Sequence, residues 1–166
     1  MHILINKKNI TFGNYKAKCV VGKRGIGYKR KEGDLITPKG KYKVKYILYR
    51  QDRVKNIQSK IRKIKITKNL GWCNDPESKD YNKLIKLPSK FNHEKLYMKE
   101  NIYDIILVLN YNMHPIIKSR GSAIFIHVAR KDFKKTEGCV ALRKSNLLTI
   151  IKKIKKNSVI KIGNQK

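Results

Sequence analysis

The chain has 166 residues and a mass of 19.4 kDa, and this length predicts a single domain over residues 1–166. Hydrophobic residues make up 40% of it, enough for a buried core, but no run reaches the roughly 18 consecutive apolar residues of a transmembrane helix. The formal net charge of +30 would attract a polyanion such as nucleic acid, an anionic membrane surface or an anionic wall polymer.

The distribution of this charge favours compositional bias over a selected polyanion site. Lys residues are spread over the whole chain, and Lys outnumbers Arg, whereas phosphate recognition more often uses the bidentate fork of Arg. No nucleic-acid partner is therefore expected. A non-catalytic basic module that binds a polyanion stays an alternative, and salt would weaken its binding steeply.

Alternating apolar and polar residues predict the strands of the first half. A hairpin is expected from His2–Asn6 and Asn9–Phe12, followed by a half-buried strand over Tyr15–Val21 in which Cys19 faces the core. The clearest strand is Lys41–Tyr49, where Tyr42, Val44, Tyr46 and Leu48 are predicted to share one face. Its Tyr and Lys residues fall on opposite faces, which favours inward packing of the aromatic rings over stacking on nucleic acid.

Glycine and proline mark the predicted loops. Gly22–Gly27 has neither the spacing of a phosphate-binding loop nor a helical pattern after it, and Thr37–Gly40 has the composition of a turn. Gly71–Pro76 is also turn-like and contains Trp72, which either anchors this loop on the core or lines a substrate cleft. Glu94–Met98 is predicted to form one helical turn.

The second half combines buried strands with one helix. Strands are predicted over Ile61–Ile66, Tyr103–Leu109, Gly121–Val128 and Ser158–Ile162. Between the last two, an apolar stripe predicts an α-helix over about 145–156, with Ser145 as its N-cap. Many short strands with few short helical turns and one C-terminal helix predict a mainly β fold, either a β-sandwich or a partly closed barrel.

The number and spacing of the cysteines argue against a complete disulfide framework and against a metal site. Cys19, Cys73 and Cys139 are odd in number, so they cannot form a complete disulfide framework, and at least one thiol stays free. No Cys-x-x-Cys pair occurs, and the four His residues do not cluster with Cys, so no metal site is predicted.

A lone Cys and a lone His on adjacent segments suggest a nucleophile and its base. Gly121–His127 is predicted to be a strand ending in His127, and Thr136-Glu-Gly138-Cys139 is predicted to be a tight turn before another apolar run. Either residue alone could be a core residue; together they indicate acyl transfer, with the imidazole taking the thiol proton. Gly138 would leave main-chain N–H groups open to an oxyanion, and Thr136 or a carbonyl near Val128 would fix the imidazole tautomer.

These residues carry a resemblance to a known family. His127 followed by Thr136-Glu-Gly138-Cys139 resembles the His…[Ser/Thr]-x-Gly-Cys signature of L,D-transpeptidase (YkuD-like) catalytic domains. Glu32-Gly-Asp34 with Thr37-Pro-Lys-Gly40-Lys-Tyr42 resembles the family's Thr-Pro-x-Gly-x-aromatic stretch. The remaining stretches are similar to a compact bacterial subgroup of that family: Gly71–Pro76, Tyr81-Asn82, Tyr103-Asp104 and Gly121–His127.

The resemblance implies a β-rich fold of the L,D-transpeptidase type with a catalytic Cys and His and no metal or organic cofactor. Its partners would be peptidoglycan stem peptides: the Cys attacks the carbonyl of the third, diamino-acid residue, expels the terminal D-residue and passes the acyl group to an amine. Transfer to water instead, by a thiol L,D-carboxypeptidase, is the alternative. The oligomeric state stays open.

The resemblance and the N-terminus differ on where the protein acts. The family implies the periplasm or cell envelope, but polar residues interrupt Met1–Asn9 too soon for the apolar core of a signal peptide. A cytoplasmic location therefore stays open.

Two departures from the family pattern affect the substrate site. The interval between His127 and Cys139 is short, so the loop over 129–135 must be compact. Many members have Arg two residues after the Cys, where this chain has Ala141. A substrate carboxylate would then be held by Arg143, Arg130 or Arg120, and Trp72 is a further candidate for contact with substrate.

Overall fold

The structure is a computed structural model that describes residues 2–163, and β-strands dominate it. The strands are β1 (His2–Ile5), β2 (Asn9–Phe12), β3 (Tyr15–Val20), β4 (Ile26–Gly27), β5 (Thr37–Pro38), β6 (Gly40–Tyr42), β7 (Val44–Tyr49), β8 (Lys63–Lys65), β9 (Leu70–Cys73), β10 (Leu84–Lys86), β11 (His93–Lys95), β12 (Ile105–Leu109), β13 (Phe125–Val128), β14 (Val140–Leu142) and β15 (Val159–Ile162). The described residues also contain an α-helix, α1 (Lys144–Lys153), and a short 3₁₀ helix at Asn101–Tyr103.

Ten strands form one large sheet, in the spatial order β6-β15-β1-β2-β3-β14-β13-β12-β7-β8. A second sheet has the order β10-β9-β11, and β4 pairs with β5. The strand β1 lies between its hairpin partner β2 and the last strand β15, with which it pairs in parallel. The first and last strands of the described chain are therefore neighbours inside the large sheet.

The large sheet curls because consecutive strands lie near its opposite edges. β6 is one edge strand, β7 is second from the other edge, and only Lys43 separates them along the chain. Neighbouring Cα atoms are about 3.8 Å apart, so the two edges must approach each other. Asn110 holds the connecting residue Lys43 in place. The Asn110 side-chain oxygen accepts a hydrogen bond from the Lys43 main-chain amide at 2.8 Å, and the Asn110 main-chain amide donates to the Lys43 carbonyl at 3.0 Å. The predicted mainly β, partly closed barrel with one helix is confirmed.

Side chains from the two faces of the large sheet enter two different cores. The first core is built from aliphatic residues of β1, β2, β7, β12, β13 and β15, and α1 packs on it through Leu147, Ile150 and Ile151. The second core lies where the large sheet meets the β10-β9-β11 sheet, and it contains Trp72 and Phe125. No helix within residues 2–163 has the length and apolar composition needed to cross a membrane.

The helix differs from its predicted bounds. It begins at Lys144 rather than Ser145, and Arg143 occupies the N-cap position without a side-chain capping bond. The prediction of Ser145 as the N-cap is therefore wrong. At the other end the helix stops at Lys153, because Ile154 adopts an extended conformation and is buried in the first core.

The strand predicted over 41–49 is divided into β6 and β7. Within β7, alternate side chains change the face of the sheet towards which they point. Its pairing with β12 shifts register between Val108 and Leu109, which indicates a β-bulge. Val44 consequently packs in the first core, whereas Tyr46 and Leu48 pack in or against the second. A pattern of strict alternation cannot show such an added residue.

Several short segments also differ from prediction because pairing between distant strands overrides their local preference. Thr37–Pro38 is a strand rather than a turn, and Leu70–Cys73 is a buried strand rather than the start of a loop. The helical turn predicted at Glu94–Met98 is wrong, because His93–Lys95 pairs with β9 as a strand.

Candidate active site

Two neighbouring strands bring His127 and Cys139 to the same region. His127 lies in β13, which pairs in parallel with β14 in a register that places His127 beside Ala141. Cys139 immediately precedes β14, two residues before Ala141, and the Phe125 amide lies 3.4 Å from its Sγ. Paired residues in a sheet share a face, so the imidazole and thiol lie on the same side, with the small Ala141 side chain next to the imidazole.

The segment before β13 is bent so that it receives the thiol. Cys139 Sγ donates a hydrogen bond to the Ala123 carbonyl at 3.1 Å. The predicted strand from Gly121 begins only at Phe125, because Gly121 and Ala123 have φ values of 109° and 53° in the left-handed region. Without substrate, the thiol thus contacts two main-chain groups at this bend, the Ala123 carbonyl and the Phe125 amide.

A main-chain carbonyl orients the imidazole. His127 Nδ1 lies 2.9 Å from the Val128 carbonyl oxygen, which can only accept, so Nδ1 carries the proton and the neutral ring has its lone pair on Nε2. The ring of Tyr103 packs against the imidazole edge to face, with centroids 5.4 Å apart. Thr136, the other predicted orienting group, makes its hydrogen bonds elsewhere.

Burial keeps both groups uncharged. It lowers the pKa of His127 to about 4, although the carbonyls of Val128 and Ile102 favour the charged ring. Burial also raises the pKa of the Cys139 thiol to about 12, assisted by the nearby Glu94 carboxyl and opposed by the Phe125 amide. The free protein consequently holds a thiol and a neutral imidazole rather than a thiolate–imidazolium pair.

Thr136 shapes the turn that carries Cys139. Its hydroxyl donates to the Cys139 carbonyl at 2.5 Å and accepts from the Gly138 amide at 3.2 Å. The Gly138 amide is therefore already hydrogen-bonded, and the expectation that Gly138 leaves main-chain donors near Cys139 open to an oxyanion stays a prediction. Gly138 has a φ of 149°, and a Cβ there would lie 3.1 Å from the Ile36 carbonyl oxygen, so close packing also favours glycine. The Cys139 amide has no hydrogen-bond partner within residues 2–163.

His127 and Cys139 line one cavity of about 660 Å³. Arg130 is the predicted arginine that also lines it. In the described structure Arg120 and Arg143 lie outside the cavity lining, and the Arg143 guanidinium is 5.6 Å from the centroid of the Phe133 ring.

Trp72 lies beneath the site and is fully buried, so it supports the strands instead of contacting a ligand. Its ring packs edge to face on Phe125 at 5.1 Å, and its Nε1 donates to Asn82 Oδ1 at 3.2 Å. The same Asn82 oxygen accepts from the Ala123 amide at 3.1 Å. Trp72 and Asn82 thus hold the bend whose carbonyl receives the Cys139 thiol.

A buried ion pair supports the turn from the other side. Lys29 Nζ lies 2.6 Å from Asp34 Oδ1, and both side chains are almost inaccessible to solvent. Burial opposes ionisation of Asp34, but the Lys29 ammonium and the amides of Arg30 and Ile36 outweigh it and lower its pKa. Asp34 thereby fixes the segment on which Gly138 packs.

Two residues that the sequence did not identify complete the cavity wall. Glu94 and Tyr103 both line the cavity, and the Tyr103 hydroxyl donates to Glu94 Oε2 at 2.6 Å. Burial raises the pKa of Glu94, against the effect of this hydrogen bond, and it also raises the pKa of Tyr103. The strand pairing of β11 with β9 brings Glu94 here, and that pairing has no signal in the local sequence.

The described part of the chain contains no obvious set of metal ligands. His, Cys, Asp and Glu do not form a group of three or more that could hold a metal ion within residues 2–163. The arrangement instead places a thiol, an imidazole with a fixed tautomer and one free main-chain donor in the same region, and acyl transfer can use groups of these kinds.

Comparisons with known proteins identify the family of the chain. A family model described as the L,D-transpeptidase catalytic domain, YkuD, matches residues 2–162. Among solved structures, the chain is similar to a variant of the helical cell shape determining protein Pgp2 from Campylobacter jejuni, with 19% identity and a TM-score of 0.45. That match covers 99% of this chain but 47% of the Pgp2 chain, so this chain spans less than half of the Pgp2 length. No curated protein gives a significant match. Because the family model covers nearly all of the sequence, the chain belongs to the L,D-transpeptidase (YkuD) catalytic-domain family.

Proposed function

We propose that this protein is a cysteine L,D-transpeptidase that acts on tetrapeptide stems of peptidoglycan. The family gives the general class, an L,D-transpeptidase-type activity on peptidoglycan. The observation that supports the specific reaction is the placement of His127 in β13 and of Cys139 just before the neighbouring β14, in one cavity, with Nδ1 of His127 held by the Val128 carbonyl so that Nε2 is the basic nitrogen of the neutral ring.

In the proposed first step, Cys139 Sγ attacks the carbonyl carbon of the third stem residue while its proton passes to His127 Nε2. The carbonyl π electrons move to oxygen, and the main-chain N–H of Cys139 is the donor that we assign to this oxyanion. When the intermediate collapses, the C–N bond to the terminal D-residue breaks, and His127 gives its proton to the departing amine. A thioester on Cys139 remains.

In the second step an amine of another stem attacks the thioester. His127 accepts the proton of that amine, the C–S bond breaks, and Cys139 regains a proton as the new amide forms. Water in place of the amine would give hydrolysis. The products distinguish these outcomes, because transfer gives cross-linked dimers, whereas hydrolysis gives shortened stems alone.

The neutral pair has a consequence for how the thiol is activated. A thiol whose pKa is raised to about 12 is a weak nucleophile until its proton moves to the imidazole. We propose that substrate displaces the hydrogen bond from Cys139 Sγ to the Ala123 carbonyl and so frees the proton for His127. Arg130 at the cavity rim is the group that we assign to a substrate carboxylate.

The test is release of the terminal D-amino acid from a tetrapeptide stem by the purified chain and its variants. Cys139→Ala and His127→Gln should each reduce release to the background rate, with the far-UV circular dichroism of the native chain retained. Cys73→Ala is the matched control, because Cys73 is also a free but fully buried thiol, and this variant should keep its turnover. Turnover by a folded Cys139→Ala variant would contradict the proposal.

Labelling with a small electrophile tests the alternative of a non-catalytic basic module. Selective modification of Cys139 over Cys19 and Cys73 would support the catalytic proposal. Equal inertness of the three thiols, together with polyanion binding that falls steeply with salt, would support the basic module.

The reaction is proposed to take place in the cell envelope, where peptidoglycan lies. Fractionation of cells that express the native protein tests this location, and recovery in the cytoplasmic fraction alone would contradict it.

A further inference from the structure

Glu94 and Asn74 place two hydrogen-bond acceptors on the same wall of the active-site cavity. β9 and β11 are antiparallel, with Glu94 opposite Trp72, and Asn74 follows two residues after Trp72. Alternation along a strand therefore directs Glu94 and Asn74 to the same side of the small sheet. Both residues line the cavity that contains Cys139 and His127.

The acceptor atoms of these two residues are not fully used by the protein. Asn74 Oδ1 is buried and receives no hydrogen bond from any residue in the range 2–163. Glu94 Oε2 accepts from Tyr103, while Oε1 has no partner in the same range. Asn74 Oδ1 is a buried acceptor without a donor, which costs free energy, so a ligand that supplies an N–H donor here would be stabilised.

The charges around the cavity are divided between its rim and its wall. Lys23, Arg130, Lys134 and Lys135 line the cavity with exposed side chains. The chain has 41 Lys and Arg residues, yet Glu94 takes part in none of the ion pairs among the described residues. A carboxyl group held in a cavity without a cationic partner is available to a cation from outside.

We propose that Glu94 and Asn74 form a subsite for a primary ammonium group of the substrate. The ammonium presents three donors, which match Glu94 Oε1 and Asn74 Oδ1 and leave one for a main-chain carbonyl or water. The proposal rests on the proposed function for the identity of the substrate. Two amines fit this chemistry: the side-chain amine of the donor's third residue, and the amine of the acceptor stem, which would bind as an ammonium and give one proton to water before its neutral form attacks the thioester.

Binding measurements on a chain that cannot turn over test the subsite without requiring catalysis. In the Cys139→Ala background, calorimetry compares a tetrapeptide whose third residue has a free side-chain amine with the same peptide acetylated at that amine. The free amine should bind about 10- to 100-fold more tightly. Adding Glu94→Gln should remove most of this preference, and adding Asn74→Leu should remove a smaller part.

Asp132→Asn is the matched control for charge. Asp132 lines the same cavity but is exposed, so this variant makes the same change in net charge at the rim and should keep the preference for the free amine. Equal binding of the two peptides by the Cys139→Ala chain would overturn the proposal. So would an equal loss for both peptides on Glu94→Gln, because that result would indicate a purely structural role through Tyr103.

Kinetics of the catalytically intact chain assign the ammonium to its source. A fall in kcat/KM for release of the terminal D-amino acid in the Glu94→Gln variant, absent with the acetylated donor, assigns the subsite to the donor amine. A rise in the apparent KM for the acceptor, with unchanged acylation, assigns it to the acceptor amine. If the native chain binds with the predicted preference but releases no terminal D-amino acid, the subsite stands and the proposed reaction fails.

Discussion

Cys139 carries its proton in the free protein, because neither its surroundings nor His127 stabilises a thiolate before substrate binds. The thiol donates to the Ala123 carbonyl, and burial disfavours the charged form of both the thiol and the imidazole, so each group is held in its neutral form. Reactivity should therefore depend on pH in a way that differs from enzymes with a preformed ion pair.

Alkylation by iodoacetamide measures this difference. With its thiol pKa raised to about 12, Cys139 should react at a rate that keeps rising with pH through the neutral and mildly alkaline range. A fast rate that is constant between about pH 5 and 8 would reveal a thiolate–imidazolium pair and contradict the structure. Mass spectrometry of the labelled peptides separates Cys139 from Cys19, whose burial also raises its pKa to about 12.

Individual residues differ in how far the sequence could identify them. Cys139 and His127 stand out because the chemistry of a Cys turn next to a His strand is local to a short stretch of chain. Glu94 gave no such signal, since it reaches the cavity through pairing of β11 with β9 rather than through its neighbours in sequence. Trp72 left two interpretations open, and its complete burial favours the structural one.

At the scale of elements, the segment that contains Asp34 connects the Thr-Pro-x-Gly stretch to the Cys139 turn. Asp34 binds the Lys29 ammonium and accepts main-chain hydrogen bonds, while Thr37 Oγ1 accepts from the Gly22 amide at 2.8 Å. These bonds explain why polar residues are needed in a segment that does not touch the cavity chemistry directly.

Removing Asp34 should destabilise the chain because it leaves the Lys29 charge buried without a partner. We expect Asp34→Ala to lower the free energy of unfolding by about 3–5 kcal/mol, measured by urea denaturation. The milder Asp34→Asn, which keeps the shape and an acceptor oxygen, should cost less and serves as the measurement if Asp34→Ala does not fold. The control is Asp80→Ala: its pair with Lys83 is about half exposed and its loss should cost about 0.5 kcal/mol or less.

Elements were predicted correctly where a short stretch of sequence determines which residues are buried. They were predicted incorrectly where pairing with distant strands determines it. The hairpin over 2–12 and the final strand follow from runs of aliphatic residues and are confirmed. The change of faces within the 41–49 strand depends on a bulge opposite Val108 and Leu109, residues more than fifty positions away. The parallel pairing of β1 with β15 likewise depends on the whole topology.

At the scale of the whole molecule, the buried imidazole makes folding sensitive to acid. The pKa of His127 is about 4 in the folded chain, against 6.5 for a histidine exposed to water, so the unfolded chain binds more protons between these values. Stability therefore rises with pH through this window and is lost as pH falls from 6.5 towards 4. The contribution of His127 to this loss is about 3 kcal/mol at most.

Urea denaturation at about pH 7 and about pH 4.5 measures this contribution. The native chain should lose more unfolding free energy between the two conditions than His127→Gln, which cannot bind the proton. Equal losses in the two proteins would show that His127 is not the group responsible. Comparing the two proteins removes the effect of the other titrating side chains, which they share.

The loop over 129–135 joins the parallel strands β13 and β14 without making the contacts that position the catalytic pair. His127 and Cys139 are positioned by the hydrogen-bonded register of their strands and by contacts with Val128 and Ala123, and none of these lies in that loop. Insertions or substitutions there could alter what the cavity mouth admits while leaving the distance between base and nucleophile unchanged. The loop is therefore the segment in which substrate preference could diverge, or be engineered, without rebuilding the catalytic pair.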